Sequence, residues 1–186
     1  MDWNQRYSSD PSNWLGPPRS LLQDYADILP TGGLAFEAAM GMGNDLPFLL
    51  EKKFQVLGVD RSEVAVKYVH RHFPSVWTIL ADLSRFRLSD NTFDLICNFY
   101  YLDRDLCLQY YRSLKPGGIL LFETLTDEML TIKPDIFPER LLKPGEVLGF
   151  FSDLDIISYS EGWVNSGHGG RKAVASLVAL KKLIDS

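Results

Sequence analysis

Cysteine is nearly missing from this chain. Cys97 and Cys107 are the two present among 186 residues, and their separation fits no metal or redox pair. Cys97 lies inside an apolar run and reads as a small core residue in a reduced protein. Histidine is equally scarce, at three residues, so a metal centre has too few ligands. Positive charge is in deficit: 19 Lys and Arg against 24 Asp and Glu leave a formal charge of −5. That balance excludes a broad basic surface for nucleic acid or for a membrane. No apolar run reaches the length of a membrane span. The opening MDWNQRYSSDPSNW has no basic region ahead of an apolar stretch, so the expected location is cytoplasmic. Repeats and low-complexity tracts are absent as well.

What remains is a chain that is 46% hydrophobic, of a length that suits one domain with a substantial core. Strand-like and helix-like segments alternate, which indicates α/β. The strands expected are Leu34–Ala39, Gln55–Asp60, Val76–Ala81, Phe93–Phe99, Ile119–Thr124, Asp155–Ser160 and Val174–Leu180. The early ones are almost continuously apolar, as in a parallel sheet covered on both faces. Between them, Pro17 and Pro18 precede a helix that Gly32 and Gly33 stop, and Asn44 opens a second. Ser62 caps a third that ends before Pro74, and Asp103 caps a fourth that Pro116 and Gly117 halt. The domain is expected to span residues 1–186. Residues 1–30 would be an N-terminal lid and helix, and residues 125–150 an insertion over the active site.

Ligands of open parallel sheets bind beyond the C-terminal strand ends, near the switch in strand order. The stretch LAFEAAMGMGNDLPFLL places Glu37 near such an end, with Gly41 and Gly43 in the turn that follows. Asp60 closes the second strand seventeen positions after Gly43, where an acid can accept both ribose hydroxyls of an adenosine. A dinucleotide fingerprint needs a third glycine, and Leu46 stands in its place. Glu37 would repel a pyrophosphate but attract an ammonium or sulfonium. The helix start at Asn44 suits a carboxylate. These features favour S-adenosylmethionine over a nicotinamide dinucleotide.

The motifs ExAxGxG at Glu37–Gly43, GVD at Gly58–Asp60, AD at Ala81–Asp82 and LKPGG at Leu114–Gly118 together resemble class I S-adenosylmethionine-dependent methyltransferases. Ala39 stands where that family usually has glycine. The resemblance implies a Rossmann-like three-layer sandwich with a seven-stranded, mostly parallel sheet and an antiparallel last strand. It implies cofactor contacts from Glu37, Gly41, Gly43, Asp60 with adjacent Arg61, Asp82 with Leu83 at the adenine, and Asn98 beside the methionine portion. Outside the cofactor motifs, WNQRY, YYLDRDL, LLKPGE and the RKAVASLVALKK run are similar to small methyltransferases of the tellurite-resistance type, a group associated with soft or oxyanionic substrates.

Methyl transfer is an in-line displacement in which positioning supplies much of the catalysis. The candidate catalytic residues are Tyr100, after the fourth strand, and His168 and Arg171, in the glycine-rich link between the last two strands. As the resemblance reads, the latter two are anion contacts or a base. Trp3, Arg6, Tyr7 and Trp14 make an aromatic segment without helical period, expected either as a lid that excludes water or as a terminus docked on the surface. Arg104 is expected in an ion pair. The run Asn98-Phe99-Tyr100-Tyr101 lacks the two prolines of nucleic-acid amino-methyltransferases. A small-molecule acceptor is therefore expected, a thiol, chalcogen oxyanion or similar nucleophile, with no nucleic acid and no membrane. A cofactor-binding sensor or partner subunit without turnover is the alternative.

Overall fold

The computed structural model describes residues 2–9, 14–166 and 169–183. Seven strands form one sheet: β1 Gly33–Ala38, β2 Phe54–Asp60, β3 Trp77–Leu80, β4 Phe93–Phe99, β5 Leu114–Leu125, β6 Asp155–Asn165 and β7 Arg171–Leu180. Their order is β3-β2-β1-β4-β5-β7-β6. Strands β1 to β5 are parallel, and β7 runs antiparallel to both neighbours. All seven expected strands are present. The strand order reverses between β1 and β4, which puts a ligand crevice at their C-terminal ends. Because β7 is antiparallel, its first residues lie at that same end, one strand away from the end of β5.

Helices cover both faces. The helices α2 Ser20–Asp24, α3 Leu46–Glu51 and α4 Glu63–His72 close one core with Ala35, Leu95, Cys97 and Leu121. The helices α5 Arg104–Ser113 and α6 Glu146–Phe150 close the other, where Phe36, Ile96, Tyr110, Phe122 and Phe151 meet. Burying side chains of this size contributes about 1.5–3 kcal/mol each. The caps are those expected: Ala65 N–H donates to Ser62 Oγ, and Leu106 N–H to Asp103 Oδ1. Edge strand β3 differs from the expectation of full cover. Trp77 and Leu80 are more than half exposed there, because among the described residues no strand pairs with the outer edge of β3.

Helix α1 Trp3–Ser9 departs from the reading of the N-terminal segment as aperiodic. Asp2 Oδ1 accepts from the N–H groups of Asn4 and Gln5 and starts it. Its aromatic face then packs against Met42 and Ala65. After β5 the chain makes 3-10 turns at Asp127–Thr131 and Pro138–Arg140 before α6. Arg104 ties this stretch down. Its guanidinium donates to Glu146 at 2.7 and 3.1 Å and to the carbonyls of Glu139 and Leu141 at 2.7 and 3.1 Å. The expected ion pair thus exists, and its partner is Glu146.

Candidate active site

The turn after β1 is built from left-handed backbone: φ is +52° at Ala39, +53° at Gly41 and +77° at Gly43. A Cβ on Gly43 would sit 2.6 Å from Leu46 and 3.1 Å from Val69. Gly43 therefore lets α3 and α4 close on the turn, a task the dinucleotide motif gives to its third glycine. At Ala39, where glycine is usual, an L side chain in this conformation costs about 1–2 kcal/mol.

Asp60 locks the turn to β2. Its Oδ2 accepts from Gly41 N–H and its Oδ1 from Ser62 N–H, both at 2.8 Å. Burial pushes its carboxyl above the ordinary aspartate range. Arg61, next to it, is exposed and lies within electrostatic range of both Asp60 and Asp82. Asp82 Oδ1 accepts from the N–H and Oγ of Ser84, and these bonds hold its pKa below the usual value. Leu83 is buried in the core beside Ala38 and Val59. The Asn98 side chain is committed: Nδ2 donates to the Tyr101 carbonyl at 2.7 Å and Oδ1 accepts from Tyr110 Oη at 2.8 Å. It braces the loop after β4 from the α5 side of the sheet.

Glu37 points to the opposite face, where the β1–β4 register sets it beside Cys97. It is 4% exposed, and its Oε2 has no partner among the described residues. Burial and then the adjoining Asp45 carboxylate push Glu37 well above the usual carboxylate range. Asp45 is the N-cap residue of α3 and accepts from Arg19 N–H at 2.6 Å. An acid thus occupies the helix end that the sequence reading assigned to a carboxylate, and that helix starts at Leu46 rather than at Asn44. Asn44 instead holds the segment ahead of α2, donating to the Trp14 carbonyl and accepting from Gly16 N–H.

Tyr100 follows β4 with a left-handed φ of +57°, a strained conformation typical of functional loops. Its Oη donates to Glu123 Oε1 at 2.6 Å, while Glu123 Oε2 accepts from Ser176 Oγ at 2.6 Å. Burial and then the Glu123 charge raise the phenol pKa, so Tyr100 keeps its proton. Arg19 Cζ lies 5.0 Å and Lys172 Nζ 4.4 Å from the ring centroid. Behind Glu123 is a cavity of about 240 Å³, lined on one side by Ser158, Ser160 and Ser176. Tyr101 lies on the Asp82 side of the loop.

The structure does not bring Arg171 to this cluster. Arg171 is exposed, with its guanidinium 5.4 Å from the Trp163 ring centroid. Strand alternation puts its neighbour Lys172 on the face shared with Ser176 and Val178. Lys172, Arg19, Asp45 and Glu123 were not singled out from the sequence, although period two along β7 distinguishes Lys172 from Arg171. His168 lies outside the described residues. Over the glycine turn, Trp3, Tyr7 and Trp14 form a ring cluster with centroids 5.4–5.8 Å apart. Tyr7 is buried close to Gly41 and Asp60. Among the described residues no helix is long and apolar enough to cross a membrane, and no cluster could hold a metal.

Residues 35–118 match the family described as Methyltransferase domain. A probable S-adenosylmethionine-dependent methyltransferase of Mycolicibacterium smegmatis is 27% identical over 93 residues, 47% of this chain and 36% of that protein. The match therefore spans little more than a third of that relative. Among solved structures, a SAM-dependent methyltransferase of Methanosarcina mazei superposes with a TM-score of 0.71 at 15% identity, over 91% of this chain and 100% of that one. TehB of Haemophilus influenzae gives 0.72 at 15% identity, over 98% of this chain and 68% of that one. The site fits the corresponding cofactor, because a buried acid with a free oxygen beside a glycine turn receives a cation and repels phosphates. Sheet order, motif order and the family match over residues 35–118 all make this chain similar to S-adenosylmethionine-dependent methyltransferase domains.

Proposed function

We propose that this protein transfers a methyl group from S-adenosylmethionine to a small-molecule nucleophile such as a thiol or chalcogen oxyanion. The observation that carries the reading is the Glu37 carboxyl, buried with one oxygen unpartnered at the switch point of the sheet. S-adenosylmethionine supplies a methyl group on a sulfonium that is already a good leaving group.

In this reading Glu37 faces the cationic end of the cofactor, and Asp60, with Arg61 beside it, the ribose. The Asp60 bonds to Gly41 and Ser62 leave its remaining lone pairs for hydroxyl donors. The turn at Gly41 and Gly43 gives the close backbone approach, and Asp82 with Leu83 borders the adenine. Asn98 contributes by fixing the loop that carries Tyr100. The aromatic lid of α1 and Trp14 excludes water over the turn. Tyr100, still protonated, orients the acceptor side through Glu123. A base is required only for an acceptor that arrives protonated. His168, in the sequence between β6 and β7, is the candidate for that role or for an anion contact; Arg171 is not, since its exposed guanidinium lies on the Trp163 ring. The narrower similarity of the sequence to tellurite-resistance-type methyltransferases supports a small, polarisable acceptor.

The test is incubation with methyl-labelled S-adenosylmethionine and a panel of thiols and selenite. Label is expected in at least one acceptor, and Asp60→Ala is expected to lower cofactor affinity about tenfold or more, the scale of a lost hydrogen bond to a charged group. Tight cofactor binding with no label in any acceptor would favour a sensor or partner subunit instead.

A further inference from the structure

Lys172 is a cation with unused donors at the acceptor end of the site. It is half-buried, and among the described residues its ammonium has neither a hydrogen bond nor an ion pair, although its backbone is paired in the β6–β7 ladder. Its neighbour is the face of the Tyr100 ring, at 4.4 Å. Removal from water and then the Arg19 charge draw its pKa below the ordinary lysine range, with the Glu123 carboxylate opposing them. A ring face offsets part of that desolvation, but it satisfies none of the three N–H donors. An ammonium placed this way leaves its donors to water or to a bound anion.

Its position indicates what that acceptor serves. The cofactor's cationic end belongs at Glu37 and Asp45, whereas the carboxylate that acts on Lys172 is Glu123. Lys172 lies instead at the start of β7, on the strand face that carries Ser176 and thus the Glu123–Tyr100 pair. We propose that Lys172, seated on the Tyr100 ring, anchors an anionic group of the methyl acceptor, a carboxylate or an oxyanion of similar size beside the nucleophile. The inference rests on the methyltransferase reading and assigns a substrate class to its acceptor side.

The anchor is tested without turnover. Protein saturated with S-adenosylhomocysteine is titrated calorimetrically with thioglycolate and 3-mercaptopropionate, each against its neutral amide. The wild type is expected to bind an acid about tenfold more tightly than the matching amide, as a charge-assisted bond requires. Lys172→Met should abolish that preference and Lys172→Arg should keep it, both with unchanged affinity for S-adenosylhomocysteine. Equal affinity for acid and amide in the wild type, or a preference that survives Lys172→Met, overturns the anchor. So does Lys172→Met that weakens S-adenosylhomocysteine itself, because the ammonium would then serve the cofactor's own carboxylate. A wild type that fails to bind S-adenosylhomocysteine overturns the methyltransferase reading first and the anchor with it.

Discussion

Glu37 and Asp45 form a buried acidic pair whose desolvation opposes folding in the free protein. Glu37 has its pKa raised by burial and by Asp45, so its effect on stability has a definite sign. The contribution is full below the ordinary glutamate value of about 4.3 and is lost as pH rises through the raised folded value. Glu37→Gln is therefore expected to raise the thermal midpoint of the free protein at neutral pH while weakening S-adenosylhomocysteine by about tenfold or more. A cation arriving beside Glu37 favours its charged form. Calorimetry in two buffers of different protonation enthalpy should thus record proton release in the wild type and none in Glu37→Gln. Glu37, the glycines and Asp60 were legible because strand end, turn and acid follow at fixed spacing. Lys172 was not singled out, because two adjacent cations differ only in which face of β7 they occupy. Asp45 and Arg19 were hidden for a related reason: their pairing joins segments 26 residues apart, and no local pattern announces it.

At the scale of elements, Arg104 clamps the segment between β5 and α6 to the start of α5. Arg104→Gln removes bonds to Glu146 and to two carbonyls. The expected loss is about 1 kcal/mol, at the lower end for charged hydrogen bonds because the guanidinium is partly solvated. Denaturant midpoints give that loss, and limited proteolysis should show faster cleavage between residues 126 and 145. An unchanged cleavage pattern would mean that the segment is held by its contacts with β7 instead. The bond to Arg104 holds the Glu146 pKa below its ordinary value. Its contribution is therefore present above the usual glutamate range and lost as pH falls through the lowered folded value. The strands were readable because each is a short apolar run between turn residues. Helix α1 was not, because seven residues held by an Asp2 cap and by docked aromatic rings carry no apolar period of their own.

Across the whole molecule, the sheet order gathers separate acids, cations and aromatic rings at one edge. Glu37 from β1, Asp60 from β2, Tyr100 after β4, Glu123 from β5 and Lys172 from β7 all reach it. The parallel core could be read from the sequence, since strand, helix and strand follow one another along the chain. The return of β7 beside β5 placed Lys172 and Ser176 in the site, a long-range pairing that local periodicity does not encode. The proposed methyl transfer requires S-adenosylmethionine as the cofactor. Calorimetric titration of the purified protein with S-adenosylhomocysteine and, separately, with NADH tests it most directly. Binding of S-adenosylhomocysteine in the micromolar range, about −8 kcal/mol, with no heat from NADH is the expected result. Binding of NADH alone would contradict the assignment of Glu37 to a cation and the methyltransferase reading built on it.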